Sequence, residues 1–379
     1  MSIFDLEKLA ELVVARMGPL QVDHRRCTRA RSPLSQCSRC VDICPPGALA
    51  FSEQGIEIAD HCVECGLCAG VCPTEALQIQ EPTELVLLDK IEASGAQGGA
   101  AAIGCRRQPQ LNPRGWAVPC LGSLSRALLL VLDQSPFPVY LVMDEEKCAQ
   151  CPAARGYQHC LGLLGEVREL LQTLGLKGGA LRPVREAPPV KTAKPKASAD
   201  PSRRAFFRSL LAGVKQVPAM VIQTVLEEPV QEAPAVQPIQ PVEGVETGRL
   251  RLLKRGLQGR QDDKRAFGWL ARPAVHSACY FCRACTVLCP VGAIKCSEDY
   301  RLTVDTGRCT GCGLCADICL YRSLVMVPGP IGNLFREEPV LLAQGVKGRC
   351  RSCGQEMIAS EKIEICYICE KRASLSSAR

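Results

Sequence analysis

The chain has 379 residues, 47% of them hydrophobic but only 4% aromatic, which argues for several small units rather than one large core. It carries 26 cysteines, with no basic and apolar leader at its start and no apolar run of the roughly 18 residues a membrane span needs. A disulfide-stapled secreted scaffold and an integral membrane protein are both poor readings, so the cysteines are for metal. The formal charge of +7 counts thiols as neutral; metal-bound thiolates would cancel much of it, and basicity alone predicts no nucleic-acid partner.

Residues 1–25 open with an amphipathic helix pattern bearing Asp5, Glu7, Lys8 and Glu11. Residues 26–81 carry two cysteine half-motifs. The first runs Cys27, Cys37, Cys40, Cys44-Pro45; the second runs Cys62, Cys65, Cys68, Cys72-Pro73. Between them, Ala48 to Ala59 alternates around a polar turn at Ser52–Gly55 and predicts a hairpin. Residues 82–181 read as a small α/β domain. Its expected strands are Leu85–Leu88, Ala100–Ile103, Ala117–Pro119 and Val139–Val142; its expected helices are Leu121–Leu132 and Leu161–Leu174.

Residues 182–265 predict an extended Pro/Ala-rich linker with a basic amphipathic helix at 203–228 and a second basic stretch at Arg249–Lys264. Residues 266–345 repeat the cysteine pattern: Cys279, Cys282, Cys285, Cys289-Pro290, then Cys309, Cys312, Cys315, Cys319. A hairpin is expected between them, from Ala293 to Asp305. Residues 346–379 end the chain with Cys350/Cys353 and Cys366/Cys369. The expected architecture is multidomain α+β: two similar cysteine modules flanking an α/β domain, with a small tail. A linker of this length lets the second module swing, so only docking would join the two modules.

The run C-x2-C-x2-C-x3-C-P wraps three thiolates around one corner of an iron–sulfur cube and sends the fourth to a neighbouring cube. On these residues the chain resembles the bacterial two-cluster ferredoxin family in both modules. The resemblance implies four [4Fe-4S] clusters. Their ligands would be Cys27, Cys37, Cys40 and Cys72; Cys44, Cys62, Cys65 and Cys68; Cys279, Cys282, Cys285 and Cys319; and Cys289, Cys309, Cys312 and Cys315. Two positions depart from the family. Leu34 stands where the first ligand is usual, so Cys27 must serve across a nine-residue spacer, and Leu320 replaces the proline after Cys319. Structural zinc fits four such runs badly, because a closed tetrahedral site needs only two pairs. Gly47, Gly66, Gly292 and Gly313 would either bring backbone amides to the sulfurs or serve simple turn geometry.

Cys105, Cys120 and the Cys148/Cys151 pair follow expected strands, where ligands of an open α/β sheet collect. With Cys160 they could form a fifth iron–sulfur site, a zinc site or a set of reactive thiols. The run C120-L-G, C148-A-Q-C151 and Cys160 resembles the small iron–sulfur (delta) subunit of methyl-viologen-reducing hydrogenases, although that family's earlier C-x2-C is unmatched. The resemblance implies electron exchange with a partner such as a hydrogenase, a formate dehydrogenase or a heterodisulfide-reductase-like complex. The tail pairs have zinc-ribbon spacing; the same thiolates could hold a single iron, but the second pair lacks the Pro and Gly usual in rubredoxin, so zinc is preferred. Cys296 is expected only to pack.

Ser202–Arg208 superficially resembles an export signal but lies between linkers; docking to a partner is the preferred reading, ahead of membrane contact. His61 and His276 neighbour cluster cysteines as ordinary loop residues. Nothing indicates a nucleotide-binding or Ser-His-Asp site. The expectation is a cytoplasmic electron carrier of anaerobic metabolism, with catalysis in the partner. Two readings stay open: an oxidoreductase acting on a disulfide-like acceptor at Cys148/Cys151, and a redox-sensing nucleic-acid-binding regulator.

Overall fold

The computed structural model describes residues 20–52, 55–79, 82–111, 115–188, 244 and 246–376. The expected helices at the N-terminus and at 203–228 fall on other residues. Leu20–Val22, inside the segment read as helical, is instead a strand, β1, closed antiparallel onto β4 (Leu77–Ile79). The expected hairpin is β2 (Leu49–Ser52) with β3 (Gly55–Ile58). Short helices α1 (Thr28–Arg31), α2 (Arg39–Ile43) and α3 (Leu67–Val71) carry the cysteines between these strands. The core of this unit is Cys27, Cys40, Cys68 and Cys72 packed with a few aliphatics such as Leu49, Ile56 and Leu77. So small an apolar core supplies little stability, and metal ligation is the usual supplement.

Leu85–Leu88, read as a strand, belongs to helix α4 (Glu84–Gly98). A four-residue apolar run fits either element, and here the Thr83 cap decides: its side chain accepts from the Val86 N–H. The sheet that follows is four-stranded and parallel, in the order β6 (Trp116–Val118), β5 (Ala101–Cys105), β7 (Val139–Val142), β8 (Leu181–Val184). Helices α5 (Arg126–Asp133), α6 (Glu145–Ala149) and α7 (Arg155–Leu174) complete the domain. Its core is leucine-rich, with Leu128, Leu129, Leu130 and Leu132 all buried. Strand β8 carries the domain to Val184, three residues past the expected boundary.

The segment assigned to the linker holds a packed helix, α8 (Gly248–Gly256). Leu250, Leu252, Leu253 and Leu257 join the α/β core. Gly256 lies so close to α5 that a Cβ there would sit 2.8 Å from the Leu130 side chain, and its carbonyl accepts from Gln134 at 2.8 Å. At the other end of α8, the N–H groups of Gly248 and Arg249 donate to the Glu75 carboxylate at 3.1 and 2.7 Å. The Arg249 guanidinium donates to the carbonyls of Cys72 and Ala69. This helix therefore ties the first cysteine unit to the α/β domain.

Residues 266–345 pair β9 (Ala266–Val275) with β12 (Leu324–Pro330). A second sheet has the order β10 (Ile294–Cys296), β11 (Arg301–Val304), β13 (Val340–Gln344). Helices α9 (Ala284–Leu288) and α10 (Leu314–Asp317) present the cysteines. The tail is a hairpin, β14 (Val346–Arg349) with β15 (Glu356–Ala359), then α11 (Tyr367–Ser376). The second unit does not hang free. Phe267, Trp269, Leu270 and Phe335 pack on the α/β core. Against the first unit, Arg31, 5% exposed, donates from Nε to the Leu288 carbonyl at 2.8 Å and from a terminal nitrogen to the Val287 carbonyl at 2.6 Å. The Gln36 N–H donates to Asp317 at 2.8 Å.

Candidate metal centres

Each half-motif uses the same local device at its last cysteine. The third residue after Cys44, Cys72, Cys289 and Cys319 (Gly47, Glu75, Gly292 and Arg322) is left-handed, with φ of 66, 53, 62 and 52°. That turn aims the next backbone N–H at the sulfur. Ala48, Ala76, Ala293 and Ser323 donate to their cysteine Sγ at 3.3, 3.2, 3.3 and 3.2 Å. An N–H···S bond stabilises a thiolate over a thiol, which suits a ligand. The device survives at Cys319, where leucine replaces proline, so that departure alters neither the turn nor the bond.

Inside the C-x2-C-x2-C loops a second pattern recurs. Glu64 and Gly66, Phe281 and Arg283, and Gly311 and Gly313 all have positive φ, at matching positions. Alternating the hand of successive residues curls the loop into a concavity lined by N–H groups, as an anionic cluster requires. The Cys37–Cys40 loop lacks it: Ser38 has φ −130°. There Cys27 caps α1 from the far side of the nine-residue spacer.

A cavity of about 20 Å³ is lined by Cys27, Cys37, Cys40 and Cys72. A second, also about 20 Å³, is lined by Cys279, Cys282, Cys285 and Cys319, with Cys296 on its wall. In the remaining half-motifs, burial pushes Cys65 up, with Cys44 and Cys62 adding to it. Burial likewise pushes Cys309 up to about 11, with Cys289 adding to it. Thiolates packed this closely are costly to bury and repel one another, a cost that a bound metal centre would relieve.

The α/β domain brings together four of its five cysteines. Cys105 ends β5, Cys120 follows β6, and Cys148 and Cys151 lie in and just after α6; all four line one cavity of about 20 Å³. The N–H groups of Arg107 and Ala153 donate to Cys105 and Cys151 Sγ, both at 3.4 Å. Gly156 is needed here, because a Cβ would sit 2.4 Å from Cys120 Sγ. Cys160 does not join them: it is fully buried on α7 among the core leucines, and burial pushes its thiol up to about 12.

The tail cysteines are spaced differently. Cys350, Cys353, Cys366 and Cys369 have Sγ atoms all within 4.8 Å of one another, the one such set among the described residues. Cys353 and Cys366 Sγ are 3.8 Å apart. A tetrahedral ion with metal–sulfur bonds of about 2.3 Å needs an edge of about 3.8 Å. The Cys366 N–H donates to Cys350 Sγ at 3.3 Å, and such backbone donors pull Cys350 down to about 6. The tail therefore fits a single ion, and no other set of three or more such ligand atoms among the described residues is drawn together as tightly.

The sets also adjoin one another. Cys65 packs with Cys120 and Cys151. Burial raises Cys68, and Cys65 and Cys40 raise it further. Burial pushes Cys312 up to about 12, with Cys309, Cys289 and, across the interface, Cys37 adding to it. Cys315 is raised by burial and by Cys312, Cys309 and Cys285. At the far end Cys279 exchanges two 2.9 Å hydrogen bonds with Ser360 of the tail, beside the tilted and edge-to-face rings of Tyr280, Tyr321 and Tyr367. Sequence reasoning missed this contiguity, since no spacing reports which sets touch.

Residues 35–76 match the 4Fe-4S dicluster domain family, a span that begins after Cys27. No curated protein and no solved structure matches the chain. No described helix is long and apolar enough to cross a membrane. The chain therefore contains a ferredoxin-type 4Fe-4S dicluster segment, and its further cysteine sets fit the same kind of module.

Proposed function

We propose that the chain is a cytoplasmic electron relay in which four [4Fe-4S] clusters, held by the sixteen cysteines of 26–81 and 266–345, pass single electrons to or from a partner oxidoreductase of the hydrogenase, formate dehydrogenase or heterodisulfide-reductase type. The observation that carries this is the unbroken succession of thiol sets. It runs from Cys105/Cys120/Cys148/Cys151, through Cys44/Cys62/Cys65/Cys68, Cys27/Cys37/Cys40/Cys72 and Cys289/Cys309/Cys312/Cys315, to Cys279/Cys282/Cys285/Cys319. Bound clusters would supply the one-electron chemistry. The chain supplies thiolates, N–H···S bonds that tune potential, and an apolar surround that excludes water.

The α/β set reads best as a fifth iron–sulfur site at one end of the succession. A dithiol that reduces disulfides needs a lowered thiol pKa, whereas burial pushes Cys148 up; this weighs against the oxidoreductase alternative. The tail reads as a zinc site that buttresses the last cluster, its four sulfurs matching zinc–thiolate dimensions.

Iron, acid-labile sulfide and zinc per chain, measured on anaerobically purified protein, test all of this. The relay predicts about sixteen iron for four cubes, rising to about eighteen or twenty with a fifth cluster, and about one zinc. Eight iron or fewer in intact protein would remove one module from the relay and sink the proposal.

A further inference from the structure

A cavity of about 490 Å³ opens where the first cysteine unit, the α/β domain and the second cysteine unit meet. Its volume is that of a small-molecule site. Its walls converge on positive charge and hydrogen-bond donors: Arg39, Arg126, Arg249, His159 and Thr310, with Trp269 on one side. Burial disfavours the charge on Arg126, and Arg39 and Arg249 repel it further, only partly offset by Glu166 at 3.2 Å. Arg126 Cζ lies over the Trp269 ring, 4.9 Å from its centroid, and Arg249 is held by Glu84 at 3.6 Å. Arg39 has neither a hydrogen bond nor an ion pair among the described residues.

Three polar atoms in this wall are buried with no hydrogen-bond partner: His159 Nε2, from α7, Thr310 Oγ1, from the cluster loop, and Arg249 Nε, which has only its longer ion pair to Glu84. Buried donors are rarely left unmet, and each orphan costs about 1–3 kcal/mol. The wall holds one carboxylate, Asp42, whose Oδ2 accepts from the Ser38 hydroxyl at 2.6 Å, against three arginines. Arginines that repel one another and outnumber the carboxylates of the wall, beside buried polar atoms without partners, are relieved by an anion. The remaining wall is apolar, with Ile43, Leu163 and Leu253 among its residues.

We infer that this junction binds a small organic oxyanion, a phosphate or carboxylate on an apolar body, and that its occupancy is coupled to the charge on the adjoining clusters. The coupling rests on the relay reading, because the walls include Cys309 and the loops next to Cys40, Cys44 and Cys72. Each electron taken up by a cluster adds negative charge beside the anion and weakens its binding. By reciprocity the anion favours the oxidised cluster and lowers its potential. A tenfold preference for the oxidised state corresponds to 59 mV for a one-electron couple.

The test uses anaerobic holoprotein titrated calorimetrically with inorganic phosphate, phenyl phosphate and benzoate, and electron paramagnetic resonance potentiometry with and without the ligand that binds best. One saturable site per chain is expected. Phenyl phosphate or benzoate should bind at least tenfold more tightly than inorganic phosphate, and whichever of the two is tighter identifies the head group. Arg126→Gln and His159→Phe should each weaken binding by about tenfold. Thr310→Val, which keeps the side-chain volume, guards against an Arg126 variant that fails to fold. The midpoint of at least one cluster should fall on saturation. Absence of saturable binding, binding indifferent to both His159→Phe and Thr310→Val, or potentials unmoved at saturation each overturn the inference. Clusters present without anion binding sink this site alone; clusters absent sink the relay, whatever binds.

Discussion

Gly311 and Gly313 occupy equivalent left-handed positions in one ligand loop, yet their surroundings differ. At Gly313 an added Cβ would meet nothing within 4 Å, so alanine pays only for its backbone conformation. At Gly311 the Cβ would sit 2.9 Å from the Ala271 carbonyl oxygen of β9, so alanine adds a clash to the same backbone cost. Gly313→Ala should therefore cost about 1 kcal/mol and Gly311→Ala distinctly more. Thermal unfolding of the two holoproteins checks the order, and equal losses would contradict it. Neighbouring Phe281 and Arg283 hold the same conformations without glycine, which only a well-supported loop sustains. From the sequence, the short cysteine spacings made the ligand loops legible, since two or three residues leave the backbone few routes. The left-handed turns at Glu75 and Arg322 were not, because neither residue type signals positive φ.

Helix α8 belongs to a different scale, where packing outvotes composition. Within 248–264 the basic residues dominate the eye, and the leucines at 250, 253 and 257 read as scattered. Their i, i+3, i+7 spacing is nonetheless that of a helix face, and the face is covered by α5. Leu252, 1% exposed, should cost about 2–5 kcal/mol as Leu252→Ala, measured by denaturant unfolding. A surface helix on a swinging linker would instead lose under about 0.5 kcal/mol. The error at Leu85–Leu88 has the opposite origin. A run that short carries no period, and a single threonine cap at Thr83 sets the outcome. The parallel strands were legible from Val139–Val142 and its neighbours, and with them the convergence of Cys105, Cys120, Cys148 and Cys151. The exclusion of Cys160 was not, since only the turn of α7 directs it into the core.

For the whole molecule, Arg31 acts alongside Gln36 in holding the first cysteine unit against the second. Its guanidinium is spent on the carbonyls of the two residues preceding Cys289, so a positive charge sits beside that cluster's expected position. Positive charge favours the reduced, more negative cluster. Arg31→Gln should therefore lower one midpoint potential, on the order of 59 mV for a tenfold shift. Iron content should stay unchanged, and Arg31→Lys should recover part of the shift. Potentiometry reads it directly, and potentials identical to wild type would reduce Arg31 to a structural pin.

Residues 31 and 287 are joined across 256 positions of chain. A ribosome adding about 5–20 residues per second needs on the order of 10–50 s to bring the second partner into being. During that interval the nascent first unit already has its eight cysteines outside or near the exit tunnel, with the face around Arg31 still open to solvent. Clusters delivered as the chain emerges would reach the earlier unit first, before the later one arrives to cover it. The docking that joins the two units also withdraws this face of the first unit from anything that must reach its thiols from outside.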